Sequence, residues 1–352
     1  MKTYFGFISL LRRFFPAFGC LLFCFLSVPP SPAQTNFQAT PLNEYQPGQL
    51  YLGVYPGLLY DNSNRAPSDH DADGRLAAAR VQPLDSTGSP SPQGKIVVIG
   101  IGMSNWNIDL CAGGLNPSVC TPQSFISAEN ASSRVNKESL VVVDCAIPGQ
   151  VANTWLDDSF LNYSACKKTL ENIGLTEAQV QVVLYKDANP QPKRSLKPST
   201  RCSKDFVTDA CMYERFLGQT ARFLKTRYAN IQQIFLHSRI YAGYAVVPLN
   251  PEPFAYEYGF VTKWFVNAQI AQIRSGTIDP VAGDLSFDVA PWIGWGPYFW
   301  ASGGNLRQDG LNWVPSDYLR DLTHPAANGA AKVAHLMLQF YLNSPYSPWF
   351  RQ

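Results

Sequence analysis

The stretch "KIVVIGIGMSN", residues 95 to 105, is an apolar run that contains two glycines and is followed at once by Ser104. Continuous apolar runs without polar alternation are typical of strands buried on both faces of a parallel sheet. Later stretches share this character, namely "SLVVVDCA" (139–146), "AQVQVVLYKDA" (178–188) and "IQQIFLHSRI" (231–240). We therefore predict four parallel strands, with Ser104 just beyond the end of the first.

The segments between these strands have helical periodicity. Apolar residues recur at spacings of three and four in residues 206–228, 258–273 and 325–342. Strands that alternate with helices predict a three-layer α/β/α sandwich around a central parallel sheet. Because sites in such sheets lie beyond the carboxyl ends of the strands, the residues that follow the strands are expected to meet at one rim.

The beginning of the chain resembles an export signal. Lys2, Arg12 and Arg13 precede the apolar stretch "AFGCLLFCFLSV", and small residues follow at Ser31 and Ala33. This order predicts a signal peptide over residues 1–33, cleaved near Ala33, and a secreted or periplasmic protein. A retained anchor is the alternative, but the apolar part is shorter than the ~20 residues of a spanning helix. No stable membrane anchor is expected.

Residues 34–93 and 94–352 differ in composition. The first segment is rich in Pro, Gly, Asn and Ser and has little periodicity, which predicts an irregular N-terminal arm. The second contains all of the predicted strands and is expected to form the catalytic domain. The net charge of +2 gives no large field of one sign, so nucleic acid is not an expected partner. The oligomeric state has no signal in the sequence.

The cysteines indicate disulfide bonds. Of eight cysteines, two lie in the signal peptide and six follow it, and an even number in an exported protein favours pairing. The short separations favour Cys111–Cys120, Cys145–Cys166 and Cys202–Cys211. Other connectivities and free buried thiols are the alternatives. Paired C-x-x-C units are absent, so a zinc site is not predicted.

A serine becomes a nucleophile only when a base takes its proton, so Ser104 needs a histidine. Of the four histidines, His324 is the best candidate, since "RDLTHP" places Asp321 three residues before it in a turn-like sequence. His70 in "SDHDADG" lies in the irregular arm, where local hydrogen bonding is expected, and His335 is expected on the surface of the last helix. One turn ahead of the C-terminal helix could then present the acid and the base together. His237 and Ser238 form a competing pair, but adjacent residues on an extended chain point to opposite faces.

These motifs resemble those of the SGNH (GDSL-like) hydrolase superfamily. That superfamily carries a serine after its first strand and a D-x-x-H pair near its C-terminus, here Ser104, Asp321 and His324. The resemblance covers roughly residues 94 to 345 and implies a flavodoxin-like sandwich. It also implies a serine esterase that forms an acyl-enzyme and needs no metal or cofactor. The expected substrate is a small-molecule or glycan ester, with a carbohydrate acyl ester as one candidate.

The resemblance also assigns an oxyanion hole, with one departure from the pattern. Gly149 in "DCAIPGQ" matches the glycine whose amide binds the oxyanion, with the Ser104 amide as its partner. The asparagine of the third block is missing from "LHSRIYAGY", where Arg239 stands instead. Arg239, Asn105 or Asn153 is therefore expected to supply the substitute donor.

An aromatic stretch carries the rival hypothesis. "PWIGWGPYFWASGG", residues 291–304, could line an acyl pocket, stack on sugars or simply pack in the core. The rival hypothesis is a non-catalytic carbohydrate-binding module that keeps the hydrolase fold and uses residues 291–300 to hold a glycan. The missing asparagine favours the module, whereas the Ser104, Asp321 and His324 set favours the enzyme.

Overall fold

The computed structural model describes residues 37–112, 120–198, 202 and 208–352. The strands of this part are β1 (Leu50–Tyr51), β2 (Tyr55–Pro56), β3 (Ile96–Gly102), β4 (Leu140–Asp144), β5 (Val180–Lys186), β6 (Gln233–Leu236) and β7 (Trp292–Trp295). Its α-helices are α1 (Ser68–Arg80), α2 (Ser104–Leu110), α3 (Phe125–Ala131), α4 (Asn162–Asn172), α5 (Asp209–Arg227), α6 (Phe254–Ser275) and α7 (Ala327–Asn343). Short 3₁₀ turns lie at Leu42–Glu44, Ala152–Thr154, Glu177–Gln179, Pro315–Asp317 and Pro348–Phe350.

The central sheet has five parallel strands in the order β4-β3-β5-β6-β7. Every residue of β3 and β5 is buried, which explains their unbroken apolar runs. Because β4 lies on one side of β3 and β5 on the other, the chain reverses its direction of winding beside β3. This is the flavodoxin-like order, and ligands bind at such a switch point.

Helices cover both faces of the sheet. On one face α2, α3 and α7 contact one another, and α1 packs against β6 and β7. On the other face α5 packs against α6, and the rings of Tyr163 in α4 and Phe223 in α5 lie 5.0 Å apart. The predicted three-layer α/β/α sandwich with a parallel sheet is confirmed.

The fifth strand was not predicted. "WIGW" (β7) falls inside the stretch interpreted as an aromatic loop, yet it pairs with β6, with Ile234 opposite Ile293. Two of its four residues are tryptophan, and it stands between Pro291 and Gly296. Proline and glycine usually mark turns, so the sequence indicated a loop where the edge strand of the sheet lies. Trp292 is only 2% exposed because α1 covers it.

The segment predicted to be an irregular arm contains α1, a helix of 13 residues, and in this respect the prediction was wrong. Small residues let the helix come close to the sheet: a Cβ on Gly74 would lie 2.6 Å from the Trp292 ring, and Ala78 is 1% exposed. His70, on the same helix, is buried and stacks on Trp292 with ring centroids 5.1 Å apart. Packing against tryptophan therefore stabilises a helix that has a weak apolar pattern.

Three disulfide bonds are present, Cys111–Cys120, Cys145–Cys166 and Cys202–Cys211, as the short separations indicated. None of the helices in the described part of the chain combines the length and the hydropathy of a membrane-spanning segment. The predicted signal peptide, residues 1–33, lies outside the described residues.

We expect Gly218→Ala to destabilise the protein although alanine favours helices. Gly218 lies in α5, and a Cβ there would stand 1.9 Å from the backbone oxygen of Ala282. That backbone is fixed by Arg222, whose Nη1 donates to Ala282 O at 2.7 Å. Overpacking of this kind costs about 1–3 kcal/mol. Thermal unfolding should give a lower Tm for Gly218→Ala than for the wild type. Gln219→Ala, which changes the exposed neighbouring residue, is the control and should have the wild-type Tm.

The start of α6 makes stability depend on pH. Glu257 is 1% exposed and accepts hydrogen bonds from the Leu196 amide at 3.0 and 3.1 Å and from the Tyr51 hydroxyl at 3.3 Å. Burial is the main reason that the pKa of Glu257 is raised to about 8. The folded state therefore keeps a proton that the unfolded chain releases near pH ~4.3. This contribution to stability is lost as the pH rises from that value through 8.

Glu257→Gln removes this titration. The free energies of unfolding of the wild type and of the variant are measured in urea at several pH values. The wild-type value minus the variant value should fall between pH 5 and 8, by at most about 1.4 kcal/mol per pH unit. A difference between the two proteins that stays constant over this range would contradict the assignment.

Candidate active site

Ser104 stands at the point where β3 turns into α2. The bend requires glycine at position 102, where φ is +151° and a Cβ would lie 2.0 Å from the backbone oxygen of Lys186. Ser104 is the first residue of α2, so its amide N–H has no acceptor within the helix. The strand end thus presents the hydroxyl and the amide of one residue to the rim of the sheet.

A tight turn before α7 holds Asp321 and His324. Asp321 Oδ1 accepts hydrogen bonds from the amides of Thr323 and His324, both at 3.1 Å. Leu322 takes a positive φ of 50° inside this turn, and the Leu319 amide closes it by donating to His324 O at 2.8 Å. The carboxylate and the imidazole are therefore fixed by the same few backbone bonds.

The structure brings the three predicted residues together although Ser104 and His324 are 220 positions apart. Ser104 Oγ lies 2.8 Å from His324 Nε2, and His324 Nδ1 lies 2.5 Å from Asp321 Oδ2. The imidazole side chain is 20% exposed, so a ligand can reach it. An alcohol, a base and a carboxylate are thus connected by two consecutive short contacts.

The charge of Asp321 fixes the histidine tautomer. Partial burial raises the pKa of the Asp321 carboxyl, but hydrogen bonds from His324 and Thr323 outweigh it and bring the pKa below its ordinary value. An ionised Asp321 accepts a hydrogen bond from the Nδ1–H group of His324, so the lone pair of Nε2 faces Ser104. His324 Nε2 is therefore placed to accept the hydroxyl proton.

Asn105 ties the two halves of the site to each other. It is 2% exposed, and its Nδ2 donates to Thr323 O at 3.1 Å. The sequence predicted a role in the oxyanion hole or in substrate binding, and Asn105 does lie at the cavity. Because one of its N–H groups is used by Thr323, the residue positions the turn of His324 against α2.

A buried ion pair that was not predicted lies beneath the site. Lys186 Nζ, at the end of β5, is 2.5 Å from Asp109 Oδ2 on α2, and both side chains are fully buried. Lys186 also stands over the rings of Trp106 and Phe299 at 5.4 and 5.2 Å. Burial lowers the pKa of Lys186 to about 8 and raises that of Asp109. The pair fastens the helix that carries Ser104 to the sheet.

A cavity of about 400 Å³ opens at Ser104 and His324. Its other polar wall residues are Asn105, Asn189, Gln191, Arg239, Asn250 and Thr323, and Gly149 also lines it. Gly149 has a φ of +81°, in the left-handed region that favours glycine, and a Cβ there would meet open space. The ends of β3, β5 and β6 and the loop after β4 all contribute to this cavity, as expected for residues at one rim.

Asn189 and Asn250 are site residues that sequence reasoning missed. Asn189 Nδ2 donates to Asp209 O at 2.6 Å, and Asn250 Nδ2 donates to Asn189 O at 3.0 Å. The missing asparagine was sought after the fourth predicted strand, whereas Asn189 follows the third, in "YKDANP". The other candidate, Asn153, does not line the cavity.

The aromatic stretch lies in the core. Its rings are at most 5% exposed in Trp292, Trp295, Tyr298, Phe299 and Trp300. They offer no flat exposed surface on which a sugar could stack, which removes one of the two features that favoured the rival binding module.

The competing histidine pair is also structural. His237 Nε2 is 2.9 Å from the Tyr341 hydroxyl, and Ser238 Oγ accepts from the Phe299 amide at 2.7 Å. Burial lowers the pKa of His237 to about 3. His237 and Ser238 therefore bond to other residues and not to each other.

The described residues contain no group of three or more His, Cys, Asp or Glu side chains placed to hold a metal ion.

The short contact between His324 and Asp321 predicts a spectroscopic signature. The Nδ1 proton, held by an ionised carboxylate, should give a strongly downfield NMR resonance. Asp321→Asn should abolish that resonance, because an amide oxygen is a weaker acceptor. Ser104→Ala should retain it, since Ser104 contacts the other ring nitrogen. Persistence of the signal in Asp321→Asn would show that His324 takes the other tautomer.

Comparison with known proteins gives weak similarities to solved structures. No protein-family model matches the chain, and no curated protein matches it. A Bacillus subtilis protein is 14% identical at a TM-score of 0.36, covering 72% of this chain, which spans 57% of that protein's length. A carbohydrate esterase whose active site displays divergent catalytic and non-catalytic binding functions is 14% identical at a TM-score of 0.37, covering 72% of this chain and 71% of that one.

An extracellular lipase from Streptomyces rimosus is also 14% identical, at a TM-score of 0.33, with 69% of this chain and 99% of the lipase covered. Similarities of this size carry no inference about activity. The α/β sandwich stands on the sheet order, and the resemblance to the SGNH hydrolases stands on the residues at the strand ends.

Proposed function

We propose that the protein is a secreted serine hydrolase that cleaves a carboxylic ester through Ser104, His324 and Asp321. The observation that carries the proposal is the continuous set of contacts from Ser104 Oγ to His324 at 2.8 Å and from His324 to Asp321 at 2.5 Å, at the wall of a cavity. This geometry meets the requirement for an activated alcohol, which is a base within hydrogen-bond reach and a carboxylate that orients the base.

The first half of the reaction forms an acyl-enzyme. A lone pair of Ser104 Oγ bonds to the carbonyl carbon of the ester while the hydroxyl proton passes to His324 Nε2, and the carbonyl π electrons move to the oxygen. When the tetrahedral intermediate collapses, the bond to the alcohol oxygen breaks and the leaving alcohol takes the proton from Nε2. Asp321 stays ionised throughout and stabilises the imidazolium.

The second half returns the enzyme to its starting state. Water attacks the acyl carbon, giving its proton to His324 Nε2, and the acid is released as Ser104 Oγ recovers that proton. Water is the only co-reactant, and His324 carries the proton in both halves of the reaction. The cavity leaves room for a small alcohol or a glycan to enter and for water to replace it.

Two backbone amides are proposed to bind the oxyanion. The Ser104 N–H has no acceptor inside α2, and Gly149 lies at the same cavity in a turn that the Gln150 amide closes on Ile147 O at 3.0 Å. Donors fixed before the reaction stabilise the charge that develops on the carbonyl oxygen, and losing one costs ~2.7–4 kcal/mol. Arg239 is assigned to substrate binding.

Export is part of the proposal. The protein has three disulfide bonds. Disulfide bonds persist in oxidising compartments and are rare in the cytosol. They support the prediction that residues 1–33 act as a signal peptide and that the protein works in the periplasm or outside the cell.

The test is covalent labelling. A fluorescent alkyl phosphonate should label the wild type at one serine, identified as Ser104 by peptide mass spectrometry. Ser104→Ala should lose the label and also lower p-nitrophenyl acetate turnover by on the order of 10³-fold or more. The exposed control variants Ser89→Ala and His335→Gln should be labelled normally. Folded wild-type protein that takes no label and cleaves no ester would refute the mechanism.

A further inference from the structure

Arg239 is a buried cation without a partner at the wall of the candidate active site. It follows β6, lines the cavity of Ser104 and His324, and is 3% exposed. Its Nε and Nη1 atoms are buried and have no hydrogen-bond partner, and its guanidinium forms no ion pair among the described residues. Other buried basic groups have partners: Lys186 pairs with Asp109, and Arg307 pairs with Asp309 at 2.5 Å.

The nearby carboxylates do not satisfy this guanidinium. Asp109 Oδ2 is bound to Lys186 and Asp187 Oδ1 accepts from the Ala188 amide at 2.8 Å. The second oxygen of each carboxyl group is buried and has no hydrogen-bond partner. Neither forms a hydrogen bond with Arg239. Burying a charge without pairing costs several kcal/mol, so a cation left in this state at a cavity indicates a group that the ligand supplies. The free protein bears the cost of burying the Arg239 charge, and an anion that binds beside the guanidinium offsets this cost.

The oxyanion is not the anion that Arg239 needs. In the proposed mechanism the Ser104 and Gly149 amides bind the oxyanion, which exists only transiently during the reaction. A hydroxyl group of a sugar could accept one hydrogen bond from the guanidinium but would leave the positive charge uncompensated. A carboxylate supplies one negative charge and a planar pair of acceptors that matches the planar set of N–H donors.

We propose that the substrate is an ester that also carries a carboxylate, and that Arg239 binds this carboxylate while Ser104 attacks the ester. The inference rests on the proposed function, because it specifies the substrate of the same site. Part of the cavity wall is apolar, from Pro148, Val151 and Leu249, which suits the carbon skeleton between the two groups. The carboxylate belongs either to the acyl part or to the alcohol part, and the test separates these two sources.

The test compares isosteric pairs of esters. For the acyl part, the pair is mono-p-nitrophenyl adipate and the analogue in which a carboxamide replaces the free carboxylate. For the alcohol part, the pair is an acetylated galacturonic acid and the corresponding acetylated uronamide. In one of the two pairs, the wild-type kcat/KM should be higher for the anionic member by about tenfold or more, which corresponds to about 1.4 kcal/mol.

Variants assign the preference to Arg239. Arg239→Gln should remove it by lowering kcat/KM for the anionic ester much more than for its carboxamide twin, and Arg239→Lys should keep part of it. Arg320→Gln is the matched control, because it removes one positive charge from an exposed residue beside Asp321 and should leave the ratio within the pair unchanged. Circular dichroism and Tm establish that each variant is folded.

A second measurement needs no variant. Adipate should protect wild-type Ser104 from phosphonate labelling at concentrations where adipamide does not, or galacturonate should do so where its amide does not.

The outcomes separate the two proposals. Equal kcat/KM within both pairs together with no differential protection would overturn the carboxylate assignment, while normal labelling and turnover of the neutral esters would leave the esterase intact. An equal loss for both members in Arg239→Gln would overturn it too, because that is the behaviour of an oxyanion donor. If the wild type is not labelled and cleaves neither member, the proposed function fails and this inference fails with it.

Discussion

The buried contact between Asp109 and Lys186 fixes the position of α2, the helix that begins at Ser104. One partner is on α2, five residues after Ser104, and the other is the last residue of β5, so their 2.5 Å contact fixes the helix against the strand. Removing either partner would leave an uncompensated charge in a fully buried position, which costs more than losing an exposed pair. The direction of α2 therefore follows from charge pairing as well as from apolar packing.

Strands β3 to β6 could be predicted because they are buried almost throughout and read as largely apolar runs. Ser104, His324 and Asp321 could be proposed because a strand end and a short D-x-x-H turn are local patterns. The pairs that join distant segments could not. Nothing in the sequence near Asn105 refers to Thr323, which is 218 positions away and accepts through its backbone oxygen, a group that every residue has.

Helix α1 and strand β7 were missed for one physical reason. Helix α1 and strand β7 have weak patterns of their own, and each is stabilised by the other through Gly74, His70 and Trp292. A stretch with aromatic residues between proline and glycine is equally compatible with a loop, so only the partner decides its conformation. Asn189, which lines the cavity, was missed because the substitute donor was sought after the fourth predicted strand, whereas Asn189 follows the third.

Two of the disulfide bonds are attached to segments that carry the site. Cys111 immediately follows α2, and Cys145 immediately follows β4, four residues before Gly149. A cross-link reduces the conformational freedom of the unfolded chain, and its effect on local order is greatest near the residues it joins. The positions of Ser104 and of the Gly149 amide therefore depend on whether the surroundings keep these disulfide bonds oxidised. The sheet does not, because apolar packing and backbone hydrogen bonds hold it together and a reductant does not affect them.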